Sequence, residues 1–145
     1  MPWCHTNYSL EDSISWIERQ IHNFRVREEF NFAICIKDAF VGVCGINAID
    51  RTNLRANLGY WVRTCETGRG VATRTTRLLA SWAFQHTELN RLEIIIAVGN
   101  LASIRVAEKS TAVREGILRS RLMLHGRSHD AVIYSIIRSD ATDVQ

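Results

Sequence analysis

An apparent strand at 56–63 leads into Thr67-Gly68-Arg69-Gly70-Val71-Ala72-Thr73, and helical periodicity begins at Val71. Strand, glycine-bearing turn and helix in that order present main-chain N–H groups to an anion. The first amides of a helix lack partners, its N-terminus carries partial positive charge, and glycine lets the chain approach closely. The chemistry this suits is phosphate or diphosphate binding. The turn is no Walker loop, since no Gly-Lys-Ser/Thr follows, and it lacks the third glycine of a dinucleotide-binding turn. Alone, two glycines at a helix entry also suit an ordinary turn. Glu93 is the acid inside the apolar strand 91–98. A buried acid there either finds a partner, with Arg91 as neighbour, or has a raised pKa suited to general-base work. Cys4, Cys35, Cys44 and Cys65 form no Cys-x-x-Cys pair, and Cys35 and Cys44 sit in apolar runs as small buried hydrophobes. His125 and His129 are four apart but straddle a turn, so no metal site is expected.

These groups need a scaffold, and composition bounds it. A chain of 145 residues, 46% hydrophobic and 23% charged, suits one domain spanning 1–145. One Pro and eight Gly exclude collagen-like and disordered classes. No apolar run approaches the roughly 20 residues that cross a bilayer, and the first residues lack signal-peptide features. A cytoplasmic, soluble protein is the expectation. The net charge of +3 conceals an asymmetry: residues 51–127 carry 13 basic and 5 acidic side chains, while both flanks are acidic. All basic residues but Lys37 and Lys109 are Arg, whose fork matches phosphate oxygens. The charges form no basic run interleaved with aromatics, so a phosphorylated small molecule is at least as good a partner as nucleic acid.

Ser9 with Glu11 and Asp12 marks a helix start, and Leu10, Ile14, Ile17, Ile21 and Phe24 recur at helical spacing over about 10–23. Strands follow at 30–37, 40–49 and 56–63, separated by turns at Asp38-Ala39 and Asp50–Asn53. A helix from Val71, the strand 91–98, whose near-continuous apolar run suggests cover on both faces, and a short helix from Asn100 come next. Strands 112–124 and 127–137 close the chain as a hairpin around Gly126. The order α-βββ-α-β-α-ββ predicts an α+β, or mixed α/β, domain. Tyr134 alternates with Val132 and Ile136, which places it partly buried on their face.

Several motifs recur in one order: Val-Gly-Val-Cys-Gly-Ile-Asn at 41–47, Leu-Gly-Tyr-Trp-Val at 58–62, and the turn at 67–72. Asn100-x-x-Ser103-x-x-Val106-Ala107-Glu108-Lys109, Arg114-Glu115-Gly116 and His129-Asp130-Ala131-Val132-x-Tyr134-Ser135 follow. Over about residues 1–138 this set resembles the GNAT N-acetyltransferase superfamily, and within it the RimJ/RimL-type acetyltransferases of ribosomal-protein N-termini. The family's acetyl-CoA motif, Arg/Gln-x-x-Gly-x-Gly/Ala, aligns with Thr67 to Ala72, and Thr67 departs at its first position.

The resemblance implies a GNAT-type acyl-CoA N-acyltransferase fold, a central mixed, mostly antiparallel sheet flanked by helices. It implies acetyl-CoA as co-substrate and no metal. Amides of Gly68, Arg69, Gly70, Val71, Ala72 and Thr73 would meet the diphosphate. Backbone groups of Trp61, Val62 and Arg63 would pair with the pantetheine arm, with Asn100 beside it and Ser103 near the thioester sulfur. Ser103 would hydrogen-bond the departing sulfur, because the tyrosine many members carry four residues on is Ala107 here. An acid that RimL-like members often carry on the penultimate strand aligns with Leu122, leaving Glu93 or a water chain for the base. Thr111 stands where the family usually has Gly.

Members usually begin with a strand and a helix before the region matching Trp3 to Asp12, so the fold is expected to lack its first strand and first helix. The acceptor half would then be open, with 30–37 as an uncovered edge. A homodimer burying that edge, or the apolar side of 10–24, is expected. The implied function is direct transfer of acetyl from acetyl-CoA to a primary amine, foremost a protein N-terminal α-amine, with no nucleic-acid or membrane partner. Alternatives are a small-molecule amine acceptor, a non-catalytic acyl-CoA-binding module suggested by Ala107 and Leu122, and a nucleic-acid binder resting on the basic middle.

Overall fold

The computed structural model describes residues 7–142, so Trp3 and Cys4 lie outside the described part. Helix α1 (Leu10–Arg25) starts as its sequence dictates. Ser9 Oγ accepts from the Asp12 N–H (3.2 Å) while Asp12 Oδ2 accepts from the Ser9 N–H (2.8 Å), a reciprocal cap. Strands β1 (Phe30–Ile36), β2 (Ala39–Asp50) and β3 (Arg55–Val62) form the expected antiparallel meander. Helix α2 (Val71–His86), strand β4 (Arg91–Ala97), helix α3 (Leu101–Lys109) and the hairpin β5 (Val113–Leu124) and β6 (Arg127–Ile137) follow. Two elements were not expected: a 3₁₀ turn at Thr64–Glu66 and a last helix, α4 (Arg138–Thr142). The sheet order is β1-β2-β3-β4-β6-β5, and β3–β4 is its one parallel pair. This is the α+β fold, a mixed and mostly antiparallel sheet with helices against it.

One sheet face carries the core. Ile46, Leu58, Leu92, Ile94, Tyr134 and Ile136 pack with Leu79, Ala83 and Phe84 of α2 and Ala107 of α3. Tyr134 is fully rather than partly buried, and its hydroxyl donates to Glu108 Oε1 (3.3 Å). The cover expected on both faces of 91–98 is not found. Burial alternates along β4, and Glu93 and Ile95 on the second face stay half-buried. Cys35 is exposed rather than buried, because β1 is an edge strand and its pairing slips between Ile34 and Cys35. Cys44 is buried on the core face, which pushes its thiol up to about 11.

Across the second face runs a charged belt. Arg55 bridges Asp50 (3.3 Å) and Glu93 (3.2 Å), Arg91 bridges Glu93 (2.9 Å) and Glu115, and Ser135 Oγ donates to Glu115 Oε1 (2.7 Å). The Arg91 guanidinium, and after it the Ser135 hydroxyl, hold the Glu115 carboxyl down to about 2 from 4.5. A carboxyl depressed in the folded state stabilises it above its unfolded pKa, and that gain is lost as pH falls through the folded value. Wild type should therefore lose stability relative to Glu115→Gln between about pH 4.5 and about pH 2 in urea titrations. Exposure limits the difference to about 1 kcal/mol, and parallel pH profiles of the two proteins would refute the pairing.

Thr111 has φ 69° and donates to the carbonyl of Ser110. A β-branched residue in the left-handed region costs on the order of 1–3 kcal/mol, which glycine avoids. Thr111→Gly is expected to stabilise the fold by about 1 kcal/mol, raising Tm by about 3 °C. A lowered Tm would show that the threonine side chain contributes more than its backbone costs.

Candidate active site

Strands β3 and β4 pair only at Arg55–Asn57 and Arg91–Glu93. Beyond that they diverge, with β3 continuing to Val62 and β4 to Ala97. The belt of Asp50, Arg55, Glu93, Arg91 and Glu115 lies at the closed end and rivets it. The open end enters a cleft of about 1900 Å³. That exceeds the roughly 300–1,000 Å³ of an ordinary small-ligand pocket, leaving room for an extended cofactor and an acceptor together.

The turn before α2 forms one wall. Gly70 is the N-cap in left-handed conformation (φ 76°), a geometry that glycine adopts without cost. No side chain caps the helix, and its first bond is from the Arg74 N–H to the Gly70 carbonyl (3.0 Å). Among the described residues the N–H groups of Gly68 to Thr73 have no acceptor. A methyl added at Gly68 or Gly70 would meet nothing within 4 Å, so the space before these donors is clear. Uncapped amides at a helix N-terminus, facing a cleft, are the donor set a diphosphate needs. Arg69 does not line the cleft, and its side chain pairs with Glu66 (2.7 Å).

Trp61, Val62, Gly68, Gly70, Val71, Ala72, Thr73, Asn100 and Ser103 all line this one cleft. Asn100 caps α3, its Oδ1 accepting from the Ser103 N–H (3.1 Å), so only its amide nitrogen remains for a ligand. Ser103 thus sits in the first turn of α3, not mid-helix, and its hydroxyl makes no hydrogen bond within the described residues.

Three expected residues are not among those lining the cleft: Arg63, Glu93 and Arg69, whose side chain pairs with Glu66. Arg63 donates its N–H to the Val41 carbonyl (2.8 Å), and its own carbonyl accepts from Glu66 (2.9 Å) in the 3₁₀ turn. Its side chain lies over Phe40 (5.6 Å). Its backbone is spent before a pantetheine arm could use it. Glu93 lies at the closed end, its two oxygens occupied by Arg91 and Arg55, and is a rivet rather than a base.

Tyr60 is a cleft residue that sequence reasoning missed. Its hydroxyl donates to the Ser103 carbonyl (3.5 Å), tying β3 to α3 across the opening, and burial pushes its pKa up. Its alternation with Leu58 and Val62 reads only as core, and the link to α3 exists only once the strands diverge. Among the described residues no group of three His, Cys, Asp or Glu side chains could hold a metal ion. No helix among the described residues is long and apolar enough to cross a membrane.

Comparison with known proteins agrees with this geometry. Residues 1–112 match the acetyltransferase (GNAT) domain family. YdaF of Bacillus subtilis (strain 168) is 36% identical over 99 residues, which make up 68% of this chain and 54% of YdaF. The chain thus spans about half the length of that curated relative. Microcin C7 self-immunity acetyltransferase MccE, solved with acetyl-CoA and AMP, superposes with a TM-score of 0.88 at 28% identity, covering 94% of this chain and 76% of MccE. RimL, the ribosomal L7/L12 alpha-N-protein acetyltransferase, solved with coenzyme A, does so with a TM-score of 0.87 at 25% identity, covering 94% and 77%.

Proposed function

Because this chain belongs to the GNAT family of acetyl-CoA-dependent N-acetyltransferases, we propose that it moves an acetyl group from acetyl-CoA directly to a primary amine, foremost a protein N-terminal α-amine. The observation that carries the proposal is the row of uncapped amides from Gly68 to Thr73 beside the diverging strands. When bound, acetyl-CoA supplies the acetyl group as an activated thioester. The amides of the α2 N-terminus hold its diphosphate, and the main chain of Trp61 and Val62 with the Asn100 amide nitrogen orients the pantetheine arm. Ser103 Oγ, uncommitted among the described residues, holds a proton toward the sulfur as it leaves. Tyr60 fixes the turn that carries Ser103. With Glu93 occupied by two arginines, water in the open cleft takes the proton from the incoming amine.

An assay of coenzyme A thiol release with a library of N-terminal peptides tests this reading. Release that depends on the peptide α-amine supports it. Tight acetyl-CoA binding without release over any peptide or amine would leave a non-catalytic binding module instead.

A further inference from the structure

From a bare glycine and the hydrogen-bond acceptors beyond it, we infer that the acceptor carries a second cationic group, held behind the reacting amine by the Glu29 carboxylate and the Asn31 carbonyl oxygen. The inference rests on the acetyl-transfer reading above and adds the class of acceptor.

Asn31, Gly45 and Gly59 are consecutive cross-strand partners on β1, β2 and β3, and partners share a sheet face. Gly59 leaves bare backbone at the diverging edge of β3, while Gly45 lies beneath the Asn31 amide. Gly59 lies two residues beyond Asn57, the last β3 residue paired with β4, and so at the mouth of the opening. A methyl at Gly45 would lie 1.9 Å from Asn31 Oδ1 and 3.0 Å from the Phe30 carbonyl, so only glycine lets the Asn31 amide lie across β2. A methyl at Gly59 would meet only Asn57 Nδ2, at 3.7 Å. The result is a trough that runs from Gly59 to the Asn31 amide over Gly45, one strand spacing or about 5 Å, with Val43 and Asn47 on its flanks. Its floor, its flanks and the residues at its far end line the same cleft as Ser103.

At that far end a carboxylate oxygen and an amide oxygen are among the groups left over. Asn31 Nδ2 donates to Gln20 Oε1 (2.6 Å) and Glu29 Oε2 (3.4 Å), and Asn23 Nδ2 donates to the same Glu29 oxygen (3.4 Å). Asn31 thus spends one N–H on Gln20 and one on the carboxylate, Asn23 spends one on the same carboxylate oxygen, and Glu29 Oε1 and Asn31 Oδ1 remain as acceptors. Arg19 and Arg25 line the cleft, yet among the described residues neither pairs with Glu29. A half-buried carboxylate surrounded by neutral amides and lacking a cation is complementary to an ammonium or guanidinium. A trough ending in it selects an acceptor whose second positive charge trails the reacting amine. A diamine fits, and so does a peptide with Lys or Arg just behind its α-amine.

Calorimetric titration of the protein saturated with coenzyme A separates these sources and does not depend on turnover. The probes are Ala-Lys-Ala amide against Ala-norleucine-Ala amide, and diaminoheptane against heptylamine. In wild type the dicationic member of at least one pair should bind at least about tenfold tighter, consistent with one charge-assisted contact, and the pair that responds names the source. Glu29→Gln should erase that advantage while keeping the thermal shift given by coenzyme A. Gly59→Leu, which fills the trough, should weaken the dications as well. Equal binding within both pairs, or an advantage that survives Glu29→Gln, overturns the inference. Thiol release with singly charged amines reports separately on acetyl transfer, so loss of the second subsite and loss of the activity are distinguishable.

Discussion

Gly70→Asp is expected to abolish acetyl-CoA binding in a protein that still folds. The folded chain has room for the side chain, since nothing lies within 4 Å of an added Cβ. The left-handed backbone costs a non-glycine residue about 1–2 kcal/mol. Asp tolerates that region better than most residues, and as an N-cap it returns about 1 kcal/mol by bonding the amides behind it. Those are the amides assigned to the diphosphate, so the carboxylate occupies the donors and repels the ligand's charge at once. A ligand at 100 times its Kd stabilises a protein by about 2.7 kcal/mol. Wild type should show that shift with acetyl-CoA, and the variant should show none, corresponding to a Kd raised at least about 100-fold. Gly70→Asn, which caps without charge, should lie between the two. Equal thermal shifts for wild type and Gly70→Asp would remove the diphosphate assignment.

Ser103→Ala should strike turnover instead of binding. The side chain makes no hydrogen bond within the described residues, and Asn100 Oδ1 caps the Ser103 N–H, which alanine retains. Alanine is also the better helix former, so stability and acetyl-CoA affinity should hold. Loss of a positioned proton donor typically costs 10²-fold or more, and a fall in kcat of about that size with KM little changed is expected. Unaltered kcat would assign the proton to water. Asn100→Ala offers the contrast, since it removes the cap of α3, costs about 1 kcal/mol, and displaces the turn that presents Ser103.

Local rules made much of this fold legible. Ser9 and Asp12 announce α1 because a capping box is a contact across three residues, and the apolar alternation of β1 to β3 needs only their own order. The turn at 67–73 was readable for the same reason, since an uncapped helix N-terminus follows from glycine and from the lack of a capping side chain. What escaped depends on residues far apart in the chain. Arg55 reaches Glu93 only because β3 and β4 are parallel neighbours, and that contact turns a candidate base into a structural rivet. Arg63 looked available until the 3₁₀ turn at Thr64–Glu66 drew in its carbonyl. Cys35 sits in an apolar run yet faces outward, because the edge position and the slipped pairing of β1 take away its cover. The Asn31 amide over Gly45 joins two strands in a register that no local pattern reports.

Helix α1 has no buried residue, and Leu10, Ile14, Ile17 and Ile21 are each at least 48% exposed. Among the described residues its aromatic contacts to the sheet and to α2 gather at its C-terminal end. Phe24 meets Phe30, Phe32 and Trp82, and just beyond it Arg27 donates to the His86 carbonyl (2.9 Å). A helix that buries no side chain belongs with the elements that open at the smallest free energies. Gln20 belongs to that helix and is tied to β1 through Asn31 (2.6 Å), so the far end of the acceptor path is bounded by a shallowly seated segment. Amide hydrogens early in α1 should exchange long before those of α2, and anything that steadies α1 would narrow the range of amines the path admits.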